Sequence, residues 1–246
     1  QGLKQALEDN YPAPLLSASN ARADKLVLPG LSRFSKSGYR NGRKHWNPIS
    51  AYVGDKHMAI TGASQGLGLA AATRLASMGA ELTLVVRDRK RGQRALDTIA
   101  AQTGNEKLHL EVADLSLMSD TDALARRMIK RGKPVDVLIN NAGALFPKRS
   151  ITTEGLEQSF ALLLLSPVRL TQGLKPLFVA GSRVVNVVSG GMYTQRLRVD
   201  ALQADSDGYN GSVAYARAKR ALLVKAEQWA VDWAEEGIVV NSMHPG

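Results

Sequence analysis

Thr61-Gly62-Ala63-Ser64-Gln65-Gly66-Leu67-Gly68 is the stretch on which the fold turns. The apolar run 58–61 leads into it, and an Ala- and Leu-rich segment, 67–78, leads out. Glycines at a strand-to-helix junction permit a tight turn, let the backbone approach a pyrophosphate, and let helix and strand pack closely. The helix that begins there turns unpaired N–H groups and the positive end of its dipole towards the same point. Glycine turns are common, but one set between a strand and a helix outlines a dinucleotide site. Gly62, Ser64, Gln65, Gly66, Leu67 and Gly68 are therefore candidate cofactor contacts.

The same alternation continues towards the C-terminus. Strands are predicted at 58–61, 81–86, 108–112, 135–139, 183–188 and 238–241, and helices at 67–78, 91–102, 118–130, 153–178 and 213–236. The strands are β-branched and nearly unbroken in apolarity, as in strands buried on both faces of a parallel sheet. With right-handed crossovers this predicts an α/β fold: a Rossmann-type, doubly wound parallel sheet in three α/β/α layers. Residues 1–56 read differently. Pro12, Pro14, Pro29 and Pro48, scattered Gly and Ser, and no sustained period predict an extension with little regular structure. The chain thus divides into an N-terminal extension, 1–56, and a cofactor-binding domain, 57–246.

Composition narrows the function. The 246 residues are 44% hydrophobic and 22% charged, an ordinary globular balance. The longest apolar run, 160–165, is six residues, far short of the roughly 20 of a membrane span. The start at Gln1 has no signal-peptide stretch and no initiator Met, so further residues are expected to precede it. There is no cysteine, which excludes disulfides, thiol catalysis and cysteine zinc sites. His45, His57, His109 and His244 lack ligand spacing, so no metal is expected. The net charge of +10 concentrates at 33–44, 87–94 and 126–133. No aromatic-rich basic stripe or nucleic-acid motif accompanies it, so it reads as solvated helix faces plus one phosphate-binding loop.

The glycine spacing is TGxxxGxG, and five further motifs follow in order. Asp114-Leu115 follows the third strand and Asn140-Asn141-Ala142-Gly143 the fourth. Ser189 ends the fifth in Asn186-Val187-Val188-Ser189, followed by Tyr215-Ala216-Arg217-Ala218-Lys219 and the closing Asn241 to Pro245-Gly246. Together these span 57–246 and resemble the short-chain dehydrogenase/reductase family, classical type. The resemblance implies an NAD(P)-binding fold whose adenine lies near Asp114 and Leu115. It also implies cofactor contacts at Asn141, Ala142, Gly143, Tyr215, Lys219, Pro245 and Gly246. Arg87 stands directly after the second strand, nineteen residues past Gly68. NAD-specific relatives carry an acid there for the ribose 2′-hydroxyl, whereas a guanidinium suits a 2′-phosphate. NADP(H) is the expected cofactor.

Tyr215 and Lys219 are four apart and so share one helix face. A phenol is a weak acid at neutral pH (pKa about 10) and a neighbouring ammonium favours its ionised form. By resemblance Tyr215 exchanges the proton, Lys219 also holds the nicotinamide ribose, and Ser189 orients a carbonyl or alcohol substrate, small and lipophilic. Aligning Glu157-Gln158-Ser159-Phe160-Ala161 with the family places Leu163 at its catalytic Asn. The family Asn sits at a helix kink where its carbonyl holds a water. Pro167, four residues on, cannot donate to the Leu163 carbonyl and forces a kink, which either preserves that water site or merely bends a helix in a protein that has lost catalysis. The sequence ends at Gly246, where the family continues into a substrate lid, so a missing lid region is expected.

The alternative expectation is a cofactor-binding but catalytically idle accessory subunit of a larger protein assembly, reached through 1–56. The face of Leu222, Ala226, Trp229 and Trp233 reads as core or subunit contact, which admits a homo-oligomer. The compartment stays open between mitochondrion and cytoplasm, with the mitochondrion favoured.

Overall fold

The computed structural model describes residues 36–45, 52–203 and 208–245. They belong to two units, 36–45 to the first and the remainder to the second, each taken by itself. In the first, Lys36–Arg43 forms a helix, α1, inside the stretch expected to have little regular structure. Its sequence has no apolar period to predict it. Arg40 and Arg43 occupy its last turn, where cations favour the negative end of the helix dipole.

The second unit holds six parallel strands: β1 (His57–Thr61), β2 (Glu81–Val86), β3 (Leu108–Val112), β4 (Val137–Asn140), β5 (Arg183–Val187) and β6 (Val239–Met243). Their order is β3-β2-β1-β4-β5-β6, the doubly wound arrangement that the sequence pattern predicts. Between them run α2 (Gly66–Ser77), α3 (Arg89–Thr103), α4 (Met118–Arg131), the short α5 (Gln158–Phe160), α6 (Ser166–Leu174) and α7 (Gly211–Asp232).

Alternation along each strand builds the three layers. Met58, Ile60, Leu82 and Leu84 face Ala72 and Ala76 of α2 and Ile99 of α3. Ala59, Val85, Leu138, Val184 and Val240 face the other way, onto Leu124 of α4, Leu170 of α6 and Ala226 and Trp229 of α7. Leu222, Ala226 and Trp229 are buried inside the domain, so that face of α7 is core.

Several boundaries shift by a few residues, among them the strand expected at 135–139 (found at Val137–Asn140) and the helix expected at 213–236 (found at Gly211–Asp232), and two differences have local causes. Asp88 caps α3 by accepting the Arg91 N–H at 2.7 Å, which starts the helix at Arg89 rather than 91. The single helix expected at 153–178 is broken up. Gly155 takes a left-handed φ of 78°, and Glu157 caps α5 by accepting the Ser159 and Phe160 N–H groups. Ala161–Leu165 then forms a π turn, with the Ser166 N–H donating to Ala161 O five residues back. Pro167 begins α6 just after it. The expected distortion before Pro167 is thus a widened turn. The run Leu162-Leu163-Leu164-Leu165 has no polar phase from which that could be read.

Candidate functional site

The glycine loop after β1 and the Asn140–Gly143 loop after β4 meet where the strand order reverses, the place open α/β sheets use for ligands. Thr61 Oγ1 accepts the Asn141 and Ala142 N–H groups, both at 2.9 Å. Asn141 Nδ2 donates back to Thr61 O at 2.9 Å and to Gly62 O at 3.4 Å. A Cβ on Gly68 would lie 2.3 Å from Gly62 O and 2.5 Å from Asn141 Nδ2, so only glycine fits. Gly66, at φ 56°, has nothing within 4 Å of its Cβ position and faces open space.

Gln65, the N-cap of α2, offers that helix no side-chain bond. Its first N–H groups therefore remain available to an anion. Leu67 beside them is 60% exposed. Open glycine, uncapped helix end and exposed leucine fit a dinucleotide pyrophosphate with an apolar ring alongside.

Arg87 is exposed at the end of β2. Asp88, the acid next to it, is spent on capping α3, and the Arg91 N–H holds its carboxyl below the usual range. Arg91 Nη1 donates to Gln65 Oε1 at 3.3 Å, which brings a second guanidinium to the glycine loop. Sequence reasoning missed Arg91. Its signal is the four-residue spacing from Arg87 at a helix start. Asp114 accepts the Ser116 N–H and O–H at 2.9 and 2.6 Å. Leu115 is buried in the core, so only its backbone can meet a cofactor.

Tyr215 and Lys219 lie on α7 as expected, with Lys219 Nζ 5.9 Å from the Tyr215 ring centre. Lys219 is 3% exposed. Its Nζ donates to Val187 O at 2.6 Å, which pins it at the end of β5. Burial lowers its pKa to about 8. Leu163 is fully buried, and a Cβ on Gly143 would lie 3.1 Å from Leu163 Cδ2 and 3.8 Å from Lys219 Nζ. Leu163 therefore lies beside the buried ammonium, across Gly143. Ser189, just past β5, accepts the Gly191 N–H at 3.3 Å, and α7 packs against the turn that follows. Pro245 is exposed past β6, and Gly246 lies outside the described residues. No group of three metal-binding side chains occurs among the described residues, and no described helix is long and apolar enough to cross a membrane.

A doubly wound sheet with a glycine loop at its switch point is the architecture of dinucleotide-binding proteins. The chain belongs to the short chain dehydrogenase family, whose model matches residues 56–246. Among individual proteins it is similar to dehydrogenase/reductase SDR family member 12 of Bos taurus, 35% identical over 221 residues, 88% of this chain and 69% of the relative. Read from the sequence, the resemblance to that protein rests on Val188-Ser189-Gly190-Gly191-Met192, Ser242-Met243-His244-Pro245-Gly246 and Phe34-Ser35-Lys36-Ser37-Gly38-Tyr39. Human retinol dehydrogenase 11 is 33% identical, covering 78% of this chain and 60% of the relative. Among solved structures, an uncharacterized protein from Mycobacterium paratuberculosis superposes with TM-score 0.72 at 29% identity, covering 82% and 72% of the two chains. A short chain dehydrogenase from Burkholderia cenocepacia in complex with NADP does so with TM-score 0.64 at 26% identity, covering 79% and 75%.

Proposed function

We propose that the protein is an NADP(H)-dependent oxidoreductase interconverting a carbonyl and an alcohol on a small lipophilic substrate, with Ser189, Tyr215 and Lys219 as its working groups. The observation that carries this is Lys219: a buried amine anchored on Val187 O, facing Gly143 and sharing a helix face with Tyr215. Burying an amine costs free energy that a merely structural residue would not incur.

When bound, the cofactor supplies or takes the hydride. In the reducing direction the Tyr215 O–H donates a proton to the carbonyl oxygen, and the neighbouring ammonium stabilises the phenolate left behind. Ser189 Oγ already accepts from Gly191, which leaves its own O–H to donate to the substrate oxygen as charge develops there. Leu145 and Tyr193, 53% and 69% exposed on the loops after β4 and β5, supply apolar surface near these strand ends. Relatives named retinol dehydrogenases support a lipophilic substrate.

Arg87 and Arg91 support NADPH over NADH. Fluorescence titration tests this: NADPH is expected to bind roughly 100-fold tighter, and Arg87→Ala to lower the ratio about tenfold. Equal affinities in the unmodified protein would sink the preference. Activity is tested by NADPH oxidation with decanal and with retinaldehyde. A second reading, a cofactor-binding subunit without turnover in a larger assembly, is favoured by Leu163. It predicts tight NADPH binding with no oxidation by either aldehyde.

A further inference from the structure

β5 and β6 run side by side to their carboxyl ends, with Val187 registered opposite Met243. The last backbone bond between them is the Val188 N–H to Met243 O, at 2.9 Å. The next donor from the β6 side would be residue 245, a proline with no N–H, so the ladder ends there. One residue earlier, the imidazole of His244 takes over. The Gly190 N–H donates to His244 Nδ1 at 3.3 Å. A Cβ on Gly190 would lie 3.0 Å from Nε2 and 3.5 Å from both Cδ2 and Cε1. The ring therefore lies across the Gly190 Cα, and the glycine is what admits it.

Gly190 opens the tight turn Gly190–Thr194 that follows Ser189. The turn is closed by the Met192 N–H on Ser189 O at 3.0 Å and by Thr194 Oγ1 on Gly191 O at 2.8 Å. Its two leading amides have different acceptors: Gly190 N–H uses His244, and Gly191 N–H uses Ser189 Oγ. Fixing the first amide fixes the peptide plane next to the second, and the second decides which way the Ser189 hydroxyl points.

We propose that His244 is a positioning residue for Ser189. Its Nδ1 clamps the Gly190 amide to the end of β6, so that Gly191 N–H stays on Ser189 Oγ and the Ser189 proton is left for the substrate oxygen. This rests on the reading of Ser189 as the substrate-orienting hydroxyl. A ring nitrogen that accepts carries no proton of its own, so in this arrangement the ring N–H lies on Nε2.

Two measurements test it. In ¹⁵N-labelled wild-type protein with NADPH, the His244 ring shifts should report an unprotonated Nδ1 and a protonated Nε2 at neutral pH; the opposite tautomer overturns the clamp whatever the activity. Kinetically, with decanal or retinaldehyde and NADPH, His244→Ala should lower kcat about tenfold with NADPH affinity changed less than about twofold. His244→Asn places an oxygen where Nδ1 was and should recover most of kcat. His244→Gln places its amide near Nε2 instead and should not. Equal kcat in the Asn and Ala variants, with wild type active, overturns the proposal. A wild-type protein inactive with both aldehydes overturns instead the catalytic reading on which it stands.

Discussion

The two halves of the sheet bury different chemistry. In β1 and β2 every residue from His57 to Thr61 and from Leu82 to Val86 is buried, and all but His57, Thr61 and Thr83 are apolar. In β4, β5 and β6 the apolar row Leu138, Val184, Val240 is followed, two residues on and on the same face, by Asn140, Asn186 and Ser242 in register. Asn140 Nδ2 donates to Asn186 Oδ1 and to Thr171 Oγ1, both at 2.9 Å. Asn140 Oδ1, Asn186 Nδ2 and Ser242 Oγ are buried with no protein hydrogen-bond partner among the described residues. Lys219 is buried on the same side of the sheet. The first half is built for stability, and what it offers the cofactor, the glycine loop and the exposed Arg87 and Arg91, lies past the ends of its strands. The second gives up stability to hold polar groups where substrate chemistry is proposed to occur.

That contrast predicts a separation of effects. Tyr215→Phe should lower turnover about 10³-fold, equivalent to about 4 kcal/mol in the barrier, while leaving urea stability and NADPH affinity nearly unchanged. A parallel loss of stability would erase the contrast. Ile60→Ala, in the apolar half, should do the reverse and cost about 3–4 kcal/mol in urea denaturation, since Ile60 is fully buried.

Lys219→Met sharpens the comparison because it should stabilise while inactivating. The native pKa is lowered from 10.5 to about 8, so below about pH 8 the folded state must hold a charge in a buried place. Between about pH 8 and 10.5 the unfolded chain binds more protons, and stability rises with pH. The variant should therefore be more stable at pH 7 by on the order of 3 kcal/mol, with the gap closing as pH is raised through that window. Urea melts of both proteins at pH 7 and pH 10.5 measure it, and an equal gap at the two values would refute it.

The smallest effect belongs to the opposite end of the sheet. His57 is buried with Nδ1 2.8 Å from Pro134 O and Nε2 2.9 Å from Thr83 Oγ1, and burial lowers its pKa from 6.5. The unfolded chain takes a proton first as pH falls through 6.5, so stability drops there. Comparing the protein with His57→Gln at pH 7.5 and 5.5 isolates that drop.

The strands were legible because their apolar runs are short and bounded by glycine and charge, and the order of motifs followed from them. The Tyr215–Lys219 pair was legible because it is local to one helix. What stayed hidden depends on distant contacts or on unphased sequence. The Asp88 cap shows only once its carboxylate is seen on the Arg91 N–H. The meeting of Gly190 with His244 joins residues 54 apart. The π turn falls in four consecutive leucines, where no polar residue marks which way the helix faces.

That π turn also sets where the chain can change length. A π turn carries about one residue more than an α turn between the same ends. Ala161–Leu165 therefore holds a spare residue: deleting one leucine there closes an ordinary turn and leaves Gln158–Phe160 and Ser166–Leu174 in their places. The same deletion between Tyr215 and Lys219 would swing one of them about 100° around the axis of α7. One helix beside the site can absorb the loss of a residue, and the other cannot.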